Sequence, residues 1–474
     1  MLLRHSAIYF LARGVPGLIN FLALAVYTRL LAPEQYGYYA MAIAVVGLIN
    51  VVVWQWLRLG LLRFLASYDA RQEVFLSTLA AAFLSLVIVS ACMFGLALIV
   101  WPGEIWLGFS ALALLLLWMQ AWYELNLELA RSRLSPQLYG GLASSKAVVS
   151  IAVGTWLAYS GYGAKGVLAG LMAGFALPAL WMTWRVWRVV RVHMVDLQIL
   201  TELARYGLPL TATFALGFVV NTSDRLLIGW LMNPESTGLY AAGYDLAAQT
   251  LGMLMSIINL AIYPIAVRAL EREGESAARN QLQASATLML IVASPVVLVW
   301  VMLAQNVSAV VLDAAYVDTA ARLMPIIALA TLVSGLQYFY FDMAFQFGKR
   351  TSQQIWVMLT AAMVNVALNF LWIPRFGLEG AAYATLVAYC AGLLCSWSLG
   401  RKVFVLPWPG QAPKIILAVA AMAMVIWPMA EWRGALALLV QGVAGVTAYL
   451  TVLILFDVGG IQRKLTVRWA ELRR

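Results

Sequence analysis

The chain has 474 residues, of which 64% are hydrophobic and only 11% charged, with a formal net charge of +10 and a mean hydropathy of +0.86. Water-soluble domains are roughly a quarter charged, so a soluble globular fold is excluded, and no segment is long or polar enough to form a separate soluble domain. Apolar runs of about 20 residues, enough to cross ~30 Å of hydrocarbon, recur from end to end, and in lipid such a backbone is satisfied only within helices.

The expected fold is therefore an all-α polytopic membrane protein. Cys92, Cys390 and Cys395 lie inside apolar runs, and His5 and His193 lie outside them. That pattern offers neither a disulfide framework nor metal-ligand spacing, and it excludes a Ser-His-Asp triad. No Walker A or dinucleotide fingerprint is present. No enzyme activity, metal or cofactor is expected, and energy for transport would come from a gradient, of protons or sodium, or from the cargo itself.

In chain order, Arg13 interrupts the first apolar stretch and no small-residue cleavage site follows, so this stretch reads as an uncleaved span and not a signal peptide. Fourteen spans are expected: 8–28, 38–57, 77–100, 105–127, 141–160, 164–184, 207–231, 238–264, 284–304, 320–344, 354–373, 380–399, 414–430 and 434–456. One set of connections and ends carries 23 Lys and Arg residues, from Arg4 through Arg185, Arg188 and Arg191 to the tail at Arg463–Arg474. The opposite set carries only Arg29, Lys165, Arg322, Arg375 and Arg433. The positive-inside bias then places both termini in the cytoplasm. The net charge is this topology signal plus attraction to anionic lipid, with no need of a nucleic-acid partner.

The chain repeats internally. Pro33-Glu34-x-x-Gly37-x-Tyr39-Ala40 returns as Pro234-Glu235-x-x-Gly238-x-Tyr240-Ala241. Gly14-x-Pro16 has a counterpart in Gly207-x-Pro209, and Tyr162-Gly163-Ala164-Lys165-Gly166 in Phe376-Gly377-Leu378-Glu379-Gly380. Arg133-x-Ser135 and Arg350-x-Ser352 mark corresponding inner turns. Spans 1–6 and 7–12 thus read as two parallel six-helix lobes around a central cavity, an arrangement in which rocking gives alternating access. The expected division is an N-lobe at 1–195, a C-lobe at 196–402, and two extra spans with a basic tail at 403–474.

Ionisable groups inside spans cost ~3 kcal/mol or more at the bilayer centre, which makes them the functional pointers. Arg13, Arg58, Glu124, Glu128, Lys146 and Asp342 form one cytoplasmic layer. Arg29, Asp224, Arg225 and Asp245 form a second layer near the outer face, where Asp224 and Asp245 with Asn221 suit a coupling-cation site. Two charged layers suit a cargo with an anionic head that is received on one side and released on the other. Plainer readings stand beside each. Arg58, Glu128 and Arg29 are near enough to an interface to snorkel. Asp224, Arg225 and Asp245 suit a structural ion-pair cluster, and Glu124 suits a pair with Lys146. Arg13 also has a snorkelling alternative, but Gly14, Pro16 and Gly17 follow it and weaken the helix beside a guanidinium that can fork onto phosphate. The aromatic clusters Trp118, Trp122 and Tyr123, and Tyr338 to Phe341, read either as cavity lining or as interfacial belts.

The stretches Ala-Arg-Gly-x-Pro-Gly-x-x-Asn-Phe (12–21) and Tyr-Thr-Arg-Leu-Leu-x-Pro-Glu-x-Tyr-Gly (27–37) resemble the opening of the polysaccharide repeat-unit flippases (O-antigen and exopolysaccharide) of the multidrug/oligosaccharidyl-lipid/polysaccharide exporter superfamily. Tyr-Gly-Leu-Pro-Leu (206–210) and Asp-Arg-Leu-Leu-Ile-Gly (224–229) resemble that family's second half. The resemblance implies a protein of the bacterial inner membrane that moves an undecaprenyl-pyrophosphate-linked oligosaccharide to the periplasmic leaflet. It also implies arginines that hold the pyrophosphate and a polysaccharide polymerase and chain-length regulator as partners. Only Arg13, Arg29 and Arg225 carry over with the motifs. A monomer is expected, because two fused halves already enclose a cavity. The alternatives are a cation-coupled multidrug exporter, which would place a carboxylate in span one where this chain has Arg13, and a peptidoglycan-precursor flippase.

Overall fold

The computed structural model describes the backbone of residues 2–100 and 104–460, and the side chains of 14–97, 110–191 and 193–460. The basic tail therefore lies outside the described residues, as does the side chain of Arg13.

Among the described residues the chain is helical throughout. The helices are α1 (Leu2–Leu30), α2 (Pro33–Phe64), α3 (Gln72–Val100), α4 (Glu104–Ser132), α5 (Pro136–Leu157), α6 (Gly163–Val186), α7 (Leu197–Leu231) and α8 (Pro234–Glu273). They continue as α9 (Glu275–Met302), α10 (Ala304–Val311), α11 (Ala314–Leu336), α12 (Met343–Phe347), α13 (Gln354–Gly400), α14 (Ala412–Ile426) and α15 (Ala435–Leu455). Proline opens α2, α5 and α8, where its missing N–H costs nothing. Asp196 caps α7 by accepting from the Gln198 amide at 2.8 Å, and Asp313 caps α11 through Ala315 at 3.1 Å. Nine helical stretches among the described residues are long and apolar enough to cross a membrane. Three of them, 33–97, 136–189 and 314–347, each contain two successive helices, and 351–400 contains the folded-back α13. The inventory is roughly consistent with the fourteen spans expected. Leu18, Leu22, Ile88 and Leu96 are more than half exposed, as helices apolar all round require when their solvent is lipid.

The chain forms two compact units, Met1–Gly238 and Leu239–Arg474. In the first, α5 and α6 form a hairpin, and α1 lies along α5 with Tyr27 donating to the Ser150 carbonyl at 3.1 Å. α2 is packed by α4, α6 and α7. α7, which opens the second sequence repeat, reaches α2 at Gly207, where a Cβ would stand 2.8 Å from the Trp56 Cα.

In the second unit, α13 doubles back on itself. Thr360 meets Cys395 at 3.8 Å and Asn365 meets Thr385 at 3.4 Å, on either side of Gly377. The α14–α15 hairpin is tied to α9 by the Tyr449 hydroxyl on the Ile291 carbonyl (2.9 Å), and to α10 by Asn306 and Gln441 (3.1 Å).

The sequence repeats have structural counterparts. Gly163 has φ +52, ψ −134 and Gly377 has φ +60, ψ −137, a region open essentially to glycine alone. Gly37 and Gly238 meet reciprocally. A Cβ on Gly37 would lie 3.0 Å from the Gly238 nitrogen, one on Gly238 would lie 2.8 Å from the Gly37 nitrogen, and each would also run into the carbonyl of the other turn's proline. The inner turns need a correction of register. Leu134 (φ +50) and Lys349 (φ +56) are the left-handed residues that end α4 and α12. Their flanking bonds match: Ser135 N to Ala130 O at 3.2 Å, and Arg350 N to Phe345 O at 2.8 Å. Both are six-to-one helix terminations, so Leu134 corresponds to Lys349, and Arg133 and Arg350 stand two positions out of step.

Candidate functional site

Charge is buried in the first unit where α2 meets α4. Asn50, Trp54 and Arg58 recur every four residues and share one face of α2. Arg58, 7% exposed, forms an ion pair with Glu124 and donates to Gln55. Glu124 also accepts from Asn50 Nδ2 and Gln120 Nε2, both at 2.8 Å. The carboxylate is thus held by a cation and two amides, as a buried charge must be to persist. Arg58 Nε and Asn50 Oδ1 are buried without a hydrogen-bond partner. Arg58 is therefore not a snorkelling residue: α2 places it against α4, and its head is enclosed by helix packing.

Glu124 pairs with Arg58 and not with Lys146. The Lys146 ammonium sits 5.0 Å from the centre of the Phe175 ring on α6, and Phe175 in turn packs against Tyr123 at 5.2 Å. Glu124 and Tyr123 are adjacent on α4 and so point to different faces, which separates the two cations. Glu128 lies near Arg131, at 3.4 Å.

Of the outer-layer residues, Arg29 is exposed and donates to the Ala25 carbonyl at 3.4 Å, while Asn221 donates to the Gly217 carbonyl at 2.7 Å. Asp224 is buried at 1% exposure, and Arg225 follows it on α7 with its carbonyl accepting from Thr237 at 3.3 Å. These four belong to the first unit and Asp245 to the second.

Asp342 stands at the turn between α11 and α12, 4% exposed, and accepts a 2.5 Å hydrogen bond from Ser396 on α13. Its amide donates to the Gln337 carbonyl at 2.8 Å, closing a one-turn π-bulge over Gln337–Phe341, a feature common at functional sites. Of the aromatics, Tyr123, Tyr340 and Phe341 are core, Trp118 and Trp122 pack partly buried against it, and Tyr338 and Phe339 are half-buried. Trp122 donates to Thr183 at 2.7 Å, Trp118 to Ser90 at 2.9 Å, and Tyr123 is buried. Tyr340 and Phe341 are buried in the second unit with Phe347 and Phe404.

Sequence reading passed over Asn50, Gln55, Gln120 and Ser396, the polar neighbours of the buried charges. Their signal was available in part, as amides and a hydroxyl inside otherwise apolar runs. No group of three or more His, Cys, Asp or Glu able to hold a metal occurs among the described residues.

The described residues form an all-helical, polytopic fold with buried charges and paired repeats, and solved structures share that fold. The chain is similar to a structure of "Lipid II flippase MurJ, inward closed conformation", with a TM-score of 0.76 at 14% identity over 96% of this chain and 99% of that one. It is also similar to an outward-facing multidrug resistance MATE family transporter of the MOP superfamily, with a TM-score of 0.54 at 12% identity over 84% and 94%. A MOP superfamily transporter from Pyrococcus furiosus gives 0.55 at 12% identity over 84% and 94%. No curated protein matches the sequence. The family model described as "Polysaccharide biosynthesis protein" matches residues 26–321. The chain belongs to that family, and its fold is that of the flippase and MOP superfamily transporters to which it is similar.

Proposed function

We propose that the protein moves an undecaprenyl-pyrophosphate-linked oligosaccharide repeat unit from the cytoplasmic to the periplasmic leaflet of a bacterial inner membrane, by alternating access, for cell-surface polysaccharide synthesis. The observation that carries this reading is membership of the polysaccharide biosynthesis family, in a chain whose first helix bears Arg13 and no carboxylate. A cation there suits an anionic pyrophosphate and not a cationic drug. Arg13 receives the head group. Arg29 and Arg225 meet it towards the outer face, and both termini are cytoplasmic by the charge bias. Arg58, enclosed with Glu124, contributes field instead of direct contact. Asp342 is the candidate for proton or sodium coupling. A polymerase and a chain-length regulator receive the product.

The test is complementation. In a strain lacking the gene, the wild-type chain restores surface polysaccharide, and Arg13→Ala restores none while reaching the membrane at the wild-type level. Full restoration by that variant would sink the pyrophosphate assignment.

A second reading follows from the greater likeness to the Lipid II flippase fold than to the MATE fold. In that reading the cargo is a peptidoglycan lipid precursor. Rescue of a strain depleted of its lipid II flippase, with surface polysaccharide unchanged, selects it.

A further inference from the structure

On the outer surface of the α5–α6 hairpin lies a groove of about 480 Å³, largely apolar (Leu138, Leu142, Val149, Leu177) with Gln137 and Ser145 also in its lining. Two rows of aromatics bracket this face. Trp156, Tyr159 and Tyr162 are 64–82% exposed at the hairpin's turn, and Trp181 and Trp184 are 48% and 73% exposed at its open end. Tyr162 and Trp184 are 22 positions apart, about 33 Å along a helix. That is the thickness of a bilayer core, and paired aromatic rows at that spacing mark a lipid-facing surface.

At the open end the groove meets cations. Arg185 lies over the Trp181 ring at 5.5 Å and Arg188 over the Trp184 ring at 4.0 Å. No carboxylate pairs with either guanidinium among the described residues. The rings hold the guanidiniums at the membrane surface by cation–π attraction, and their N–H donors stay available to an anion. A largely apolar channel with arginines free of carboxylates at its mouth is complementary to one occupant chemistry: an acyl chain with a negatively charged phosphate head.

We infer that the α5–α6 groove binds an anionic phospholipid of the surrounding bilayer, its acyl chain along Leu138, Leu142 and Leu177 and its phosphate on Arg185 and Arg188. The site is separate from the residues assigned to the cargo, so it stands whether or not the flippase reading does.

Native mass spectrometry of the purified full chain, titrated with phosphatidylglycerol and with phosphatidylcholine, tests it. Phosphatidylglycerol is retained in preference, and retention falls about tenfold for Arg185→Gln and again for Arg188→Gln, each losing a charge-assisted contact. Gly141→Leu provides a second arm. A Cβ on Gly141, which also lines the groove, meets nothing within 4 Å, so a side chain can start there without a clash; Gly141→Leu, verified as folded by a wild-type unfolding midpoint, fills the groove and loses the lipid with both arginines intact. Equal retention of the two lipids, or no change in any variant, overturns the proposal. So does one-for-one displacement of phosphatidylglycerol by a polyprenyl pyrophosphate, which would make the groove a cargo station.

Discussion

Arg58 and Glu124 form a buried ion pair that joins α2 to α4, with side chains 8% and 26% exposed. Removing one partner strands the other, which costs about 3–5 kcal/mol for a fully enclosed pair. Glu124 keeps some solvent, so Arg58→Ala is expected to cost about 2–3 kcal/mol of stability. Replacing both residues with methionine is expected to be nearly neutral. Thermal unfolding of the detergent-solubilised single and double variants measures the coupling directly.

Gly37 and Gly238 occupy space that a methyl group cannot share. Gly37→Ala and Gly238→Ala are each expected to destabilise by about 1–3 kcal/mol through overpacking. Both methyls press on the same contact, so the first opens room for the second. The double variant then costs less than the sum, and a fully additive pair would refute the reciprocal contact.

Leu134 and Lys349 hold left-handed backbone without being glycine, and Leu134 is 80% exposed. Each pays a steric penalty of about 1–2 kcal/mol for that conformation. Leu134→Gly and Lys349→Gly therefore each raise the unfolding midpoint. At Gly163 and Gly377 the reverse change, glycine to alanine, lowers it.

Asp342 is enclosed with a hydroxyl and no basic partner among the described residues. Asp342→Asn keeps the shape and removes the cost of enclosing a charge, so thermal stability holds or rises. If the site couples ion movement to cargo movement, this well-folded variant loses polysaccharide export. Wild-type export from Asp342→Asn would end the coupling assignment.

The fold was legible because length and hydropathy alone dictate membrane helices, and because turns rich in Pro and Gly recur in order. The partners of the buried charges were not. Arg58 and Glu124 are 66 positions apart on mostly apolar helices, so the sequence pattern alone does not say which helix each charge meets. Lys146 shares Glu124's layer, but an aromatic ring on α6 holds it instead. The inner-turn register failed for a related reason. The shared arginine-x-serine letters fall at different steps of two identical helix terminations, and backbone angle decides the match where residue identity does not.

The elbows at Gly163 and Gly377 differ in charge. Two residues further on, one carries Lys165 and the other Glu379, which lies 3.6 Å from Arg322. Duplicated halves can therefore inherit a bend as a glycine while the charge beside it drifts to the opposite sign, so shape and surface chemistry evolve as separate traits.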